Sequence, residues 1–345
     1  MRQLLNTLYV TTEPSYLRLE NDAVRLEVDG EKQGKLPLHH LGSIVCFGNV
    51  LVSPALLGRC ADDGRAVVFM TRTGRFRGRV VGPRSGNVQL RQAQFDHADD
   101  PGASVELARA MVAGKLQNTR RILVRAAREA NAPGDEEALR NASERLAYSI
   151  EELENAATLD VIRGIEGEAA KSYFAVLTRM IGEARRETFA MDGRNRRPPR
   201  DRFNAVLSFL YTLLLNDCNA AAEGVGLDYQ MGFLHAPRSG RPSLGLDLME
   251  ELRAYVADRL ALTLINRQQL VADDFREREG SGAVLLNEEG RKTTVVAYQE
   301  RKKTEITHPF LEREMSIGMI PHVQARLLAR TLRDDMDAYL PFLTR

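Results

Sequence analysis

The spacing of apolar residues changes from period two to a helical period near residue 83, and this change limits the possible folds more than any other feature. Before it, Leu17 and Leu19 alternate with charged residues, and Asn21-Asp22 and Asp29-Gly30 supply turn chemistry typical of hairpins. We therefore predict an α+β protein with two domains. The sequence favours an N-terminal β-sandwich or β-roll over residues 1–83 and a larger all-α domain over residues 84–345.

Within the second part, the apolar pattern predicts a series of helices and one strand pair. Helices are expected at residues 88–97, 104–130, 135–156, 204–222 and 246–264. Short apolar runs at residues 283–286 and 293–298, joined through Asn287-Glu-Glu-Gly290, predict a β-hairpin inserted in the helical domain.

Composition excludes several classes of protein. The three cysteines are widely spaced and contain no CxxC pair, which argues against a disulfide framework or a zinc site. The N-terminus lacks an apolar signal core, and the apolar run at residues 206–215 is too short to span a bilayer. We therefore expect a cytoplasmic protein with no membrane partner. A formal net charge of +1 leaves nucleic-acid binding open, because a polyanion needs only a locally basic surface.

One carboxylate falls where a helix should be buried. Ile162, Ala169 and Tyr173 recur at helical spacing, and Glu166 lies on the same face. Glycines on either side of it each cost about 1 kcal/mol relative to Ala in a helix, which suggests the close approach of another backbone or a ligand. A buried carboxylate needs a cation, so the sequence leaves two alternatives open: an arginine partner, or a metal or catalytic site.

A histidine and two further carboxylates follow later in the chain. His235 ends a short apolar run that opens into a Gly/Pro-rich loop, and Asp247 and Glu250 share one face at the start of a helix. Each has an ordinary explanation, either a hydrogen-bonded structural histidine or favourable charge at a helix N-terminus. Taken together, oxygen ligands and one imidazole without sulfur suit Mg²⁺ or Mn²⁺ better than Zn²⁺.

Arginines concentrate in two places that could face DNA phosphates. One is a loop at residues 185–202, broken by Gly and Pro, and the other is a strand near residue 77. Both could equally be solvated surface, although arginine forks match phosphate geometry. The candidate DNA-binding residues are Arg75, Arg77, Arg194, Arg196, Arg197 and Arg200.

Four motifs, in this order and spacing, resemble one known family across essentially the whole chain. They are Arg163-Gly-Ile-Glu166-Gly, Pro198-Pro199 followed by Asp201 and Asn204, Gly226-Leu-Asp228 leading to Gly232-Phe-Leu-His235, and Asp247-Leu-Met-Glu250. The family is the adaptation integrase of CRISPR systems, a CRISPR-associated endonuclease of spacer-acquiring loci.

The resemblance implies a function and a set of site residues. Glu166, His235 and Glu250 would be catalytic and would bind Mg²⁺ or Mn²⁺, although some members have Asp where this chain has Glu250. Asp247 would support them by holding a basic side chain or a metal-bound water. The expected activity is CRISPR spacer acquisition, in which the 3′-hydroxyl ends of a protospacer are joined to the CRISPR repeat by transesterification, with DNA cleavage as the accompanying reaction.

The resemblance also implies partners: double-stranded DNA, a second copy bound through the N-terminal β domain, and a small ferredoxin-like CRISPR protein that completes a larger complex. Three other functions stay open at this point. They are a metal-dependent nuclease of DNA repair, a DNA-binding module without catalysis, and a metallohydrolase of small phosphorylated substrates. Activity that depends on a metal would distinguish an enzyme from a DNA-binding module without catalysis. Binding that weakens steeply with salt would distinguish a DNA ligand from a small phosphorylated substrate.

Overall fold

The computed structural model of the chain describes residues 7–72, 76–82, 88–195, 198–278 and 280–344. Within its described part up to residue 80, the chain forms two four-stranded sheets. The first sheet has the order β4-β3-β2-β6 and the second has the order β1-β5-β7-β8. The elements of this region are β1 (Thr7–Val10), β2 (Ser15–Glu20), β3 (Ala23–Val28), β4 (Glu31–Pro37), β5 (Ser43–Phe47), β6 (Val50–Val52), α1 (Pro54–Asp62), β7 (Ala66–Met70) and β8 (Phe76–Val80), with a 3₁₀ turn at Leu38–His40.

The predicted turns of the first sheet are confirmed. Asn21 and Asp22 have φ of 48° and 57°, and Asp29 and Gly30 have φ of 50° and 82°. Two successive residues with positive φ match the twist of the flanking antiparallel strands, and Asn, Asp and Gly tolerate that backbone best. These turns set the register in which Glu20 pairs with Ala23 and β3 continues into β4.

The second sheet is covered on both faces. Ile44 and Val67 pack with Leu17 of the first sheet and Leu56 of α1 in one apolar cluster. Phe47, on the other face, lies in the cluster formed by the helices, with its ring centroid 5.7 Å from that of Phe209. The sheet region and the helices are therefore in contact. The α+β class is confirmed, while the division into two domains at residue 83 stays a prediction.

Helices dominate the rest of the chain. They are α2 (Val88–Asp99), α3 (Pro101–Glu129), α4 (Pro133–Glu154), α5 (Leu159–Val176), α6 (Glu183–Arg186), α7 (Arg202–Gly224), α8 (Ser243–Glu250), a π-helical segment (Arg253–Asp258), α9 (Arg259–Asn266), α10 (Glu288–Lys303) and α11 (Ile320–Thr331). The remaining strands are β9 (Phe275–Arg278), β10 (Ala283–Leu286), β11 (Glu305–Thr307) and β12 (Glu314–Ser316), with 3₁₀ turns at Leu177–Met180, Ala272–Asp274 and Ile317–Met319.

Helix α7 is the central helix of the fold. Asp201 caps α7 by accepting a hydrogen bond from the Asn204 N–H at 2.7 Å, and most of the apolar side chains of the helix are buried. By length and composition alone α7 could cross a membrane, but 67% of its most apolar stretch is buried inside the protein. That burial is the expected property of a core helix in a helical domain.

The predicted hairpin at residues 283–286 and 293–298 is wrong in its second strand. β10 does form over Ala283–Leu286, but it pairs with β9, which precedes it, and residues 293–298 lie inside α10. Asn287 begins that helix by accepting a hydrogen bond from the Gly290 N–H at 2.9 Å. Acidic residues in the first turn and basic residues in the last turn also suit the helix dipole, and these end effects outweigh the β-propensity of the threonines and valines between them.

Candidate metal centre

Glu166 meets a cation, as its position on the helix predicted, but the cation is a lysine. Thr158 caps the start of α5, and Glu166 lies two turns along it with 26% of its side chain exposed. Its Oε1 accepts a hydrogen bond from Lys115 Nζ of α3. Among the described residues no atom lies within 4 Å of a Cβ built at Gly164 or Gly167. The two glycines therefore leave open space beside Glu166 and do not accommodate another backbone.

Glu250 is a buried carboxylate between two basic side chains. Its side chain is 2% exposed, and its Oε1 lies 2.9 Å from Arg253 Nη2 while its Oε2 lies 2.7 Å from Lys115 Nζ. His235 Nε2 is 3.9 Å from Glu250 Oε1. Burial disfavours the charged form, but the positive charges of Arg253 and Lys115 outweigh it and lower the pKa of Glu250 to about 2. The carboxyl group is therefore ionised at neutral pH.

His235 is held in place by Asp247. Asp247 is fully buried, and its carboxylate accepts the backbone N–H groups of Phe233, Leu234 and His235 at 2.6, 3.1 and 3.0 Å. It also lies 2.6 Å from His235 Nδ1, so the Nε2 atom is the one directed toward Glu250. A Cβ at Gly232 would lie 2.7 Å from Asp247 Oδ2, which explains why only glycine fits this close approach.

The loop that carries His235 is fixed by two further side chains. Arg163 Nε of α5 donates to the Leu234 carbonyl at 2.8 Å. Gln94 of α2 donates to the carbonyls of Asp228 and Met231 and accepts from the Asp228 N–H, all at 2.7–2.8 Å. The loop therefore presents His235 from a rigid support although it has no regular secondary structure.

Two of the predicted ligands, Glu166 and Glu250, share one cation, and that cation is the ammonium group of Lys115; His235 lies beside them, with Nε2 3.9 Å from Glu250 Oε1. Within the part of the chain that the structure describes, no three His, Cys, Asp or Glu side chains form a ready metal-binding group. Lys115 Nζ instead bridges Glu166 and Glu250. The 2.7 Å contact between Lys115 Nζ and Glu250 Oε2 lacks hydrogen-bond geometry. The buried Oε2 atom therefore faces a compensating positive charge but accepts no hydrogen bond. Two carboxylates that share one cation, with an imidazole beside one of them, are a donor set that fits Mg²⁺ or Mn²⁺ by chemistry.

Lys115 and Arg253 are the site residues that sequence reasoning missed. A signal for Lys115 was present, because it follows the buried residues Met111 and Val112 at helical spacing and so lies on the apolar face of α3. An ionisable side chain on a buried face is the same signal that identified Glu166. Arg253, 9% exposed, is three residues after Glu250 at the start of the π-helical segment, an element found frequently at functional sites.

The predicted DNA-binding arginines have different environments. Arg200 and Arg77 are exposed, whereas Arg75, Arg196 and Arg197 lie outside the described residues. Arg194 is turned inward, because its guanidinium donates to Asn204 Oδ1 at 2.7 Å and to Ser208 Oγ at 3.1 Å and also stacks over Tyr211. Asn204 also donates to the Gly193 carbonyl at 2.9 Å. The Pro-Pro motif with Asp201 and Asn204 therefore anchors the basic loop to the start of α7.

A basic groove of about 810 Å³ begins six residues further along α3 than Lys115, a rise of about 9 Å along the helix axis. Asp135 pairs there with Arg179 at 2.9 Å. The groove contains more positive than negative charge, and its arginine, glutamate and aspartate lining is Arg121, Arg125, Arg179, Arg185, Arg186, Arg259, Arg267, Glu129, Glu183 and Asp135.

Glu251, the residue after Glu250, connects the candidate site to the segment around Tyr339 and Phe342, about ninety residues later in the chain. Glu251 is fully buried and accepts the Tyr339 hydroxyl at 2.5 Å and the Phe342 N–H at 2.6 Å. Asn118 of α3 joins the same pair, since its Nδ2 donates to the Glu251 and Phe342 carbonyls at 2.8 and 2.7 Å. Burial raises the pKa of Glu251 to about 8, although the hydrogen bonds from Tyr339 and Phe342 act to lower it. We call this group the Glu251 network.

A second buried carboxylate lies at the end of the π-helical segment. Asp258 accepts the hydroxyls of Tyr173 and Tyr211 at 3.0 and 2.7 Å. Burial raises the pKa of Asp258 to about 6, although the two tyrosine hydrogen bonds act in the opposite direction. The contact ties α5 and α7 to the segment that follows Glu250.

Comparison with known proteins gives consistent matches. A family model described as CRISPR associated protein Cas1 matches residues 8–300. The chain is 54% identical over 345 residues to a CRISPR-associated endonuclease Cas1 of Moorella thermoacetica, with 100% of both chains covered. Its fold is similar to a chain of a Cas6-RT-Cas1–Cas2 complex, with TM-score 0.82, 21% identity and coverage of 99% of this chain and 36% of that one. It is also similar to a casposase bound to an integration product, with TM-score 0.82, 19% identity and coverage of 97% and 92%.

Proposed function

Because this chain belongs to the Cas1 family of CRISPR-associated proteins, we propose that it acts in CRISPR spacer acquisition as a divalent-metal-dependent DNA endonuclease and integrase. The observation that supports the proposal is that Glu166 and Glu250 share one cation, while Asp247 orients His235 so that its Nε2 lies 3.9 Å from Glu250 Oε1. A DNA-binding module without catalysis would not need two carboxylates and an oriented imidazole at the same point.

The protein side of the mechanism follows from the contacts. Glu166, Glu250 and His235 Nε2 would hold Mg²⁺ or Mn²⁺, which when bound supplies Lewis-acid activation of a phosphate and stabilises charge on the attacking or leaving 3′-oxygen. Asp247 keeps His235 Nδ1 occupied and so leaves Nε2 free to face the ion. Arg253 keeps Glu250 ionised and fixes one of its oxygens.

The nucleophile then decides the reaction at this site. When the 3′-oxygen of one DNA end attacks the target phosphorus, a new P–O bond forms and the bond to the target 3′-oxygen breaks, which leaves a free 3′-hydroxyl. When water attacks, the same bond breaks and the strand is cut. Joining needs no external energy source because one phosphodiester bond replaces another. The casposase that shares this fold was solved with an integration product, which supports the joining reaction.

We propose that DNA lies along the basic groove and reaches the metal centre along α3. The groove and Lys115 share that helix, and the excess of arginine over carboxylate gives a surface suited to phosphates. Arg200 on the basic loop is proposed to extend this surface, and Arg194 would act by holding the loop in place. Arg196 and Arg197 lie outside the described residues and stay predicted DNA contacts.

We also propose two partners. A homodimer would form through residues 1–83, where β4 and β6 are the edge strands of the first sheet and Leu51 of β6 is 64% exposed. A small ferredoxin-like CRISPR protein would bridge two such dimers; the related Cas1 chain was found in a complex with Cas2, which supports a second protein. Light scattering at micromolar concentration tests the dimer, and a monomer would contradict it.

The experiment that tests the function uses duplex DNA with 3′-hydroxyl ends and a supercoiled target plasmid. We expect joined products in Mn²⁺ or Mg²⁺, none in chelator, and none for Glu166→Ala, His235→Ala or Glu250→Ala. Glu168→Ala is the matched control, because Glu168 lies on α5 two residues after Glu166 and is exposed. Joining that persists in chelator would contradict a metal-dependent site. Activity retained by all three variants would show that the reaction occurs elsewhere.

A further inference from the structure

Lys115 occupies the position that the proposed function assigns to a divalent cation. Its side chain is 11% exposed, and Nζ contacts Glu166 Oε1 on one side and Glu250 Oε2 on the other. None of the four sequence motifs contains it. The lysine comes from α3, whereas the carboxylates come from α5 and α8, so one ammonium holds three helices together at this point.

The two cations that contact Glu250 have different environments. Arg253 stacks over Tyr211 with its guanidinium carbon 5.2 Å from the ring centroid, and it contacts Oε1 from a position three residues along the chain. That geometry fixes the guanidinium, and it leaves Oε2 to Lys115. Lys115 reaches Oε2 through a flexible four-carbon chain, and an ammonium can move away without disturbing the backbone.

The space that Lys115 Nζ fills is bounded by hard oxygen donors. The Oε2 atom of Glu250 lies 2.7 Å from the ammonium without hydrogen-bond geometry. Glu166 is 26% exposed and the His235 side chain is 20% exposed, so this side of the position is reachable from solvent. A divalent ion can enter from there, but it must compete with a positive charge that is already in place.

We propose that Lys115 is an internal competitor for the divalent ion, so that metal binding is an exchange in which the ion displaces the ammonium from the carboxylates. This inference rests on the proposed function, since it assumes that Glu166 and Glu250 bind metal. The exchange lowers metal affinity in the free protein and keeps the carboxylates paired when no ion is bound. Lys115 is thus a residue that sets the metal requirement of the site.

The test measures Mn²⁺ affinity by calorimetry on the purified full chain, without DNA and at one pH. We expect Lys115→Met to bind Mn²⁺ at least about tenfold more tightly than the wild type, equal to about 1.4 kcal/mol, because one charge-assisted contact no longer has to be broken. Lys115→Arg keeps the charge and should stay within a few-fold of the wild type. Lys171→Met, on the exposed side of α5, is the matched control and should bind as the wild type does.

Glu166→Gln, measured beside these variants, separates this inference from the proposed function. If Glu166→Gln binds Mn²⁺ with the same affinity as the wild type, the metal site itself is refuted. If Glu166→Gln weakens binding but Lys115→Met binds no more tightly than the wild type, the site stands and the competition is refuted. Circular dichroism confirms folding, and Lys115→Gln, a second uncharged variant, replaces Lys115→Met if that protein does not fold.

Discussion

Replacing Glu250 or Glu166 by Ala should affect stability very differently in the metal-free protein, although both changes remove a proposed ligand. Glu250 is 2% exposed, and Glu250→Ala leaves the buried Arg253 without the carboxylate that it contacts at 2.9 Å. Lys115 keeps one partner, Glu166, in that variant. Glu166→Ala removes a partly exposed group and leaves Lys115 paired with Glu250 at 2.7 Å.

The expected magnitudes follow from these contacts. Removing one partner of a buried ion pair costs about 3–5 kcal/mol, whereas a partly exposed pair contributes about 0–1 kcal/mol. The entropy of unfolding is about 2.1 cal/mol/K per residue, hence about 0.7 kcal/mol/K for a chain of 345 residues. We therefore expect Glu250→Ala to lower the Tm by about 4–7 °C and Glu166→Ala to change it by about 1 °C.

The assay is a thermal melt of each variant in chelator, read by circular dichroism, beside the DNA-joining assay in Mn²⁺. Both variants should lose joining, and Glu168→Ala should lose neither stability nor joining. Equal losses of Tm in the Glu166 and Glu250 variants would refute the reasoning from burial. A large loss of Tm in Glu166→Ala with joining retained would show that Glu166 is a structural partner of Lys115 and nothing more.

Three further predictions concern the support of the site, the groove and pH. Asp247→Asn should weaken Mn²⁺ affinity about 10–100-fold because His235 loses its fixed orientation, and calorimetry measures it; unchanged affinity would exclude that role. Arg121→Ala or Arg267→Ala should each reduce the slope of log K for DNA against log salt by about 0.9 per lost phosphate contact, and an unchanged slope would exclude the groove. The folded pKa of Asp258, about 6, lies above its ordinary value of 3.8, so its contribution to stability is present below about pH 4 and is lost as pH rises through 6. Relative to Asp258→Asn, the wild type should lose roughly 1–3 kcal/mol of unfolding free energy between pH 4 and 7 in urea melts, and a constant difference would contradict this.

Local chemistry made part of this fold predictable. The turns at Asn21-Asp22 and Asp29-Gly30 follow from residues that tolerate positive φ, and α7 follows from its apolar length. The strand predicted at residues 293–298 failed because its Thr and Val residues suggest a strand, while the cap at Asn287 lies outside that stretch and decides the helix. A helix cap is missed when only the residues inside the predicted strand are considered.

The carboxylates and the imidazole of the candidate site were predicted from sequence motifs, whereas its basic residues Lys115 and Arg253 were missed. Glu166 and Glu250 stand out because short motifs surround them, but Lys115 is 51 residues away from Glu166 and has no motif around it. Arg194 is a second case, since a basic loop predicts phosphate contacts while the structure shows its guanidinium donating to Asn204 Oδ1. Both cases depend on contacts between elements that are distant in sequence, which spacing alone does not specify.

The Glu251 network has a consequence for how this enzyme is made. Glu251 receives hydrogen bonds from Tyr339 and Phe342, so the layer next to the proposed ligand Glu250 depends on residues translated about ninety positions after it. Asn118 is translated much earlier, but two of its hydrogen bonds also require late residues. It donates to the Phe342 carbonyl and accepts from the Thr344 N–H. We infer that a nascent chain on the ribosome cannot complete this layer before residue 344 has been synthesised. A prematurely terminated product would then lack the hydrogen bonds that Tyr339 and Phe342 give to Glu251, beside the proposed ligand Glu250.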